Sequence, residues 1–339
     1  MHMEIREEYG EEKEKNDRLF RLLILLLITT ITLTTSSYAW FTTNRMVQID
    51  LLDVSVRAQG GIEISVDGSS WKSYIKIDDL QNASDRYPTN VNQIPFVLEP
   101  VSTIGELENG KIKMFHGSAM NNSANKYALE ATRSYENKSF GNESDGKFIA
   151  FDIFLKTTTD TKLHLTPESN AKYLGNKSVG IENAVRFAFV EEGRTSIDSS
   201  LNVIQNLSTN DNNNVYIWES NYDTHTEYGI SNARDIYNIN ITNPSNPVNY
   251  DGIIKEIDKN KNVTTDRASE NNYPDLFKRV NVSYYTTNGF TENKEIFNLS
   301  AGITKVRIYM WVEGQDVDCE NNASVGNMSL SLQFSTNPS

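Results

Sequence analysis

A chain of 339 residues with a net charge of −13, 38% hydrophobic residues and one cysteine has no intramolecular disulfide to hold it. It also lacks the Lys/Arg stripe with which nucleic-acid binders neutralise phosphate. Beyond an apolar N-terminal stretch roughly 300 residues remain, enough for one large or two ordinary β domains with a real core.

Residues 1–21 read as a cytoplasmic n-region. Lys13, Lys15, Arg18 and Arg21 precede the apolar run and only Arg45 closely follows it, so the Lys/Arg bias leaves the N-terminus inside and the bulk of the chain outside. Residues 22–41 (LLILLLITTITLTTSSYAWF) carry no charge. At ~1.5 Å per helical residue this hydrophobic helix matches a hydrocarbon core of roughly 30 Å. Two outcomes stay open. Either the segment is an uncleaved membrane anchor, or it is a signal peptide cut between Ala39 and Trp40, after the small-x-small triplet Ser37-Tyr38-Ala39. The hydroxylated residues 29–37 weaken the span and favour cleavage. Both outcomes place residues 42–339 outside the cell as one extracellular domain.

That domain opens on a strand. Val47, Ile49 and Leu51 alternate with polar neighbours, then Leu52, Val54 and Val56 resume on the other phase. The phase change predicts a bulge or bend. Such a strand either folds back through Gly60-Gly61 into its own domain or adds to the edge of a neighbouring subunit. Next, 61–66 (GIEISV) and 71–77 (WKSYIKI) flank Asp67-Gly68, a hairpin signal. Residues 125–133 (NKYALEATR) are the one short helix candidate and read equally well as a strand.

The densest core signal is 146–156 (GKFIAFDIFLK), apolar on both faces and so expected between two layers. Residues 184–190 (AVRFAFV) share that character, and 162–165 (KLHL) form a short connecting strand. From about 195 to 275 the Asn- and Pro-rich texture reads as a surface insertion, with order only at 215–218 (VYIW) and 251–257. Strand pattern returns at 278–285. In 304–312, Val306, Ile308, Met310 and Val312 are expected to face inward, with Lys305, Arg307, Tyr309 and Trp311 outward. Residues 327–335 alternate Met328, Leu330, Leu332 and Phe334 with polar partners, a strand with one wet face. Short strands, few helices and Asn/Gly turns predict an all-β fold, an antiparallel β-sandwich that is jelly-roll-like.

Chemistry is sparse. His2, His116, His164 and His225 are scattered without ligand spacing, and Cys319 has no histidine near it in sequence. The best site candidate is 313–322 (EGQDVDCENN), where Asp316, Asp318, Glu320 and Asn321 gather the hard oxygen donors that Ca²⁺ prefers. A solvated turn is the competing reading. Trp71, Tyr74, Tyr216, Trp218 and Tyr222 would stack on sugar rings if exposed, and would be core or edge cover if not.

The leader ending Tyr38-Ala39-Trp40-Phe41-Thr42 and running into a Val-rich strand resembles the TasA/camelysin class of exported surface proteins of Gram-positive bacteria. So do 309–319 (YMWVEGQDVDC), 151–156 and 217–222. The resemblance implies export through a specialised signal peptidase, a β-sandwich, and a place in biofilm fibres or on the cell surface. The acidic n-region and the Asn-rich insertion depart from that pattern. The expectation is therefore a non-catalytic structural protein of the surface or matrix, with itself as partner in a homopolymer and the membrane as partner through 22–41 if uncleaved. The alternative is a carbohydrate- or calcium-binding adhesion module.

Overall fold

The computed structural model describes residues 53–95, 97–121, 127–140, 146–175, 180–235, 239–256, 277–284, 294–319 and 327–337. Ala39, Trp40, Val47, Ile49, Leu51 and the apolar run 22–41 lie outside them. Among the described residues no helix is long and apolar enough to cross a membrane.

Strands dominate. In chain order they are β1 (Asp53–Ala58), β2 (Glu63–Ser65), β3 (Tyr74–Lys76), β4 (Gln93–Ile94), β5 (Leu107–Glu108), β6 (Lys111–Ile112), β7 (Met114–Asn121) and β8 (Tyr127–Ser134). They continue as β9 (Ser139–Phe140), β10 (Ile149–Thr157), β11 (Thr161–Leu165), β12 (Asn170–Tyr173), β13 (Val185–Thr195) and β14 (Val215–Glu219). The last six are β15 (Asp251–Ile253), β16 (Phe277–Arg279), β17 (Ser283–Tyr284), β18 (Lys294–Leu299), β19 (Gly302–Val312) and β20 (Met328–Ser335). Among the described residues three short α-helices interrupt them: α1 (Ile77–Gln81), α2 (Leu201–Gln205) and α3 (Glu227–Asp235). The fold is all-β, as the alternation predicts.

Two sheets organise the molecule. The first runs β18-β11-β20-β1-β3, with β12 also on β20; the second runs β17-β14-β13-β19-β10-β4-β9, with β2 on β10. Both fill one core. Val54, Val56, Leu163, Leu330, Leu332 and Phe334 of the first sheet meet Ile149, Phe151, Ile153, Phe187, Phe189, Val306, Ile308 and Met310 of the second. Phe189 and Phe334 touch edge to face across that core with centroids 5.8 Å apart. The pairing is not wholly antiparallel as expected: β1 runs parallel to β20, β4 to β9 and β14 to β17.

Val54 and Val56 are buried inside the chain's own first sheet, between β20 and β3. The hairpin expected around Asp67-Gly68 closes through one antiparallel bridge, Ile64 to Lys72, and then splits. Its first arm, β2, joins β10 of the second sheet, while its second arm, β3, joins β1 of the first. The turn is fixed locally: Gly68 takes φ +74°, and Asp67 Oδ1 accepts the backbone N–H of Ser69 and of Ser70, both at 2.7 Å. The ambiguous 125–133 stretch is strand, β8, paired with β7.

Two sequence expectations need correction. Lys305, Arg307, Tyr309 and Trp311 do not face water; every residue of β19 is buried. A second apolar layer covers that face, in which Tyr309 and Trp311 pack with Val101, Ile112, Met114, Phe148, Ala188 and Ile217. The 195–275 stretch is also more than surface. It supplies β14 to the second sheet, and Trp218 is fully buried against Phe187 with ring centroids 4.8 Å apart.

Candidate functional site

The covered face of the second sheet is apolar in the middle and charged at both ends. Register explains the layout. Across β10 and β19, Ala150 opposes Tyr309, Asp152 opposes Arg307 and Phe154 opposes Lys305. Across β13 and β19, Arg186 opposes Trp311 and Ala188 opposes Tyr309. One end of the face therefore collects Arg186, and the other collects Asp152, Lys305 and Arg307.

At the second end, β13 carries a bulge. Glu191 pairs with Val306 and Gly193 with Lys305, so Glu192 is the extra residue of the strand. An extra residue leaves the ladder and re-aims its side chain, a common device beside binding sites. Glu192 is 8% exposed, makes no hydrogen bond among the described residues, and has Lys305 Nζ 4.0 Å away. Burial, then the neighbouring Asp152, push its carboxyl up to about 7.

Its neighbours, by contrast, are saturated. Arg307 donates to Asp152 Oδ1 at 2.5 Å and to Glu136 Oε2 at 2.6 Å, and also to the Val91 carbonyl. Tyr87 donates its hydroxyl to Asp152 Oδ2 at 2.9 Å, and Tyr309 donates its own to Glu136 Oε1 at 2.5 Å. Lys305 donates to the Leu207 carbonyl at 2.9 Å and lies 3.4 Å from Asp152 Oδ2. Burial alone would raise Asp152 and Glu136, but Arg307, seconded by Lys305 and Lys111 respectively, holds both below the ordinary carboxylate value.

A cavity of about 240 Å³ opens over this floor. Its walls are the Asn109-Gly110 turn of the β5–β6 hairpin, Thr89 and Val91, and residues 205–209 at and beyond the end of α2. Asn109 at φ +53° and Gly110 at φ +76° make the tight turn that Asn-Gly encodes. Gly110 donates its N–H to Asp211 Oδ1 at 2.7 Å, which fastens the hairpin tip to the opposite wall.

The opposite end of the face is closed. Arg186, fully buried, pairs with Glu219 at 2.8 Å and with Asp316, and sits 4.8 Å from the Tyr250 ring centroid. Asp318 accepts from the backbone N–H and hydroxyl of Thr226 and pairs with His225 Nδ1 at 2.8 Å. The carboxylates that sequence offered to Ca²⁺ thus face internal partners at Asp316 and Asp318, while Glu320 and Asn321 lie outside the described residues. Among the described residues no group of three or more His, Cys, Asp and Glu side chains is placed to hold a metal ion. Glu313 accepts from Trp311 Nε1 and from the Gln315 backbone, and burial pushes its carboxyl up to about 7. Cys319 is buried in the main core, and His116 and His164 sit on separate strands, β7 and β11.

The candidate stacking aromatics have partners inside the chain. Trp218 is core, the Tyr216 hydroxyl donates to the Glu295 carbonyl, and Trp71 carries the Lys156 ammonium 4.5 Å from its ring centroid. Sequence reasoning missed the cavity. One signal was present: Asp152 is the single charge inside the apolar run 148–155, and a buried charge demands partners.

No family model, curated protein or solved structure matches this chain.

Proposed function

We propose that the chain is an exported structural protein of the bacterial cell surface or extracellular matrix, a jelly-roll-like β-sandwich behind an N-terminal export segment, without catalytic activity. The observation that carries this reading is the position of β1. The uncharged segment 22–41 is followed, after eleven intervening residues, by a strand at Asp53 that lies between β20 and β3. An export segment delivering the chain directly into a sheet suits a protein whose body is displayed outside the membrane. The resemblance of the leader to the TasA/camelysin class supports the same place of work.

Assembly by strand addition falls to residues 40–52, because β1 itself already has a partner on each side. The far edge of the first sheet is partly closed to a donor. On β18 the Glu295 carbonyl accepts from Tyr216 and the Asn298 carbonyl from Arg194, which blunts an edge that would otherwise template pairing. Mass spectrometry of the extracellular fraction tests export, with Trp40 as the expected N-terminus; detection of intact 1–39 there replaces cleavage with an anchor. Electron microscopy of the form beginning at Trp40, against one lacking 40–51, tests assembly. Filaments from the longer form alone uphold it, and a monomer at high concentration refutes it.

A surface binding module is the second reading, and the polar cavity over Glu192 favours it.

A further inference from the structure

We propose that the cavity over β10, β13 and β19 is a binding site for one neutral polyhydroxylated ring, a single saccharide unit, held through the Glu192 carboxyl. The proposal rests on the binding-module reading and not on export or assembly.

Charge selects the class. The floor presents the side chains of Lys305 and Arg307 beside those of Asp152 and Glu192. A cationic ligand meets the two fixed cations, and an anionic one meets the two acids. A neutral ligand meets neither penalty.

Hydrogen-bonding capacity narrows the class further. Arg307, Lys305, Asp152 and Tyr87 spend their donors and acceptors on one another and on the Leu207 and Val91 carbonyls. Glu192, over nine-tenths buried, has no hydrogen-bond partner among the described residues and lines the cavity. It needs donors from whatever fills the space. The walls add Ser208, Thr209, Thr89 and Asn109, groups that both give and accept hydrogen bonds. Several hydroxyls on one small ring satisfy that set.

Size sets the upper limit. At about 240 Å³ the cavity is below the ~300–1,000 Å³ of sites that enclose drug-sized ligands. It takes one ring, not an oligosaccharide. The fastening of Gly110 to Asp211 and the packing of Tyr87 on Phe154, centroids 5.7 Å apart, hold the walls in place before any ligand arrives.

Saturation-transfer NMR on the full chain tests this, with glucose and N-acetylglucosamine as neutral probes and glucosamine and glucuronate as charged counterparts. The expected result is transfer to at least one neutral ring, at least tenfold weaker affinity in Glu192→Ala, and loss of transfer in Ser208→Trp. Ser208 is exposed at the cavity mouth, so tryptophan there blocks access without entering the core. A single cooperative melting transition certifies that each variant is folded. The proposal is overturned if neither neutral probe receives saturation, if Ser208→Trp binds as the native chain does, or if a charged analogue binds better than its neutral parent. Those results leave the export and filament experiments untouched, so failure of one reading is separable from failure of the other.

Discussion

Glu192→Gln isolates one buried ionisation. The carboxyl sits at about 7 in the folded chain against an ordinary value of 4.5. That gap, at about 1.4 kcal/mol per pKa unit, is worth roughly 3 kcal/mol. Below pH 4.5 the group is neutral in both folded and unfolded chains, and it costs nothing. As pH rises toward 7 the unfolded chain ionises first, so the native protein loses stability through this window and stays lower above it. Glutamine has nearly the same shape and cannot ionise. The variant should match the native chain at pH 4.5 and exceed it by up to ~3 kcal/mol at pH 8, read from urea unfolding midpoints and slopes at both pH values. Asp152 and Glu136 titrate in both proteins, and their contributions cancel in the difference. A gap that is the same at pH 4.5 and pH 8, or a variant less stable at pH 8, would refute the burial argument for this residue.

Arg307→Met should cost ~3–5 kcal/mol, because it strands Asp152 and Glu136 in the interior without their main counter-charge; adding Asp152→Asn should recover part of that loss in the same unfolding assay. The His225 ring is raised above its ordinary value, Asp318 overcoming the opposing effect of burial. Its contribution to stability is full below pH 6.5 and fades as pH climbs through the raised value, so His225→Asn should flatten stability on the alkaline side, and unchanged pH dependence would count against the ion pair. Leu332→Ala, at a fully buried position of β20, should cost ~2–5 kcal/mol in thermal or urea unfolding.

The elements that alternation declares are the ones legible in sequence. In β20, Met328, Leu330, Leu332 and Phe334 announce a one-sided strand and are buried, while Ser329 and Ser331 stay part-exposed. In β10 both faces are apolar, and the strand lies between two layers. In β19 the same rule misleads. Lys305 and Arg307 look solvent-facing, and only partners far along the chain, Asp152 and Glu136, allow their burial. No local pattern contains a pairing across 155 or 171 positions. The bulge that swings Glu192 into the cavity is a matter of register against β19, which composition does not record. The 195–275 stretch reads as surface for a related reason: its Asn-rich composition is loop chemistry, yet the short strand around Trp218 has β13 and β17 as neighbours.

The parallel pairing of β1 with β20, from Asp53 opposite Ser329 to Ala58 opposite Phe334, has a mechanical consequence. Parallel strands run in the same direction, so the chain reaches β1 at one end of the pair and leaves β20 at the other. Tension applied between a point before Asp53 and a point after Ser335 drags the two strands lengthwise past each other. The evenly spaced bonds of a parallel ladder then share the shear together, whereas strands pulled from the same end would peel apart one bond at a time. With β3 on the other side of β1 and β11 and β12 on β20, the joint under tension sits inside the sheet, away from its edges.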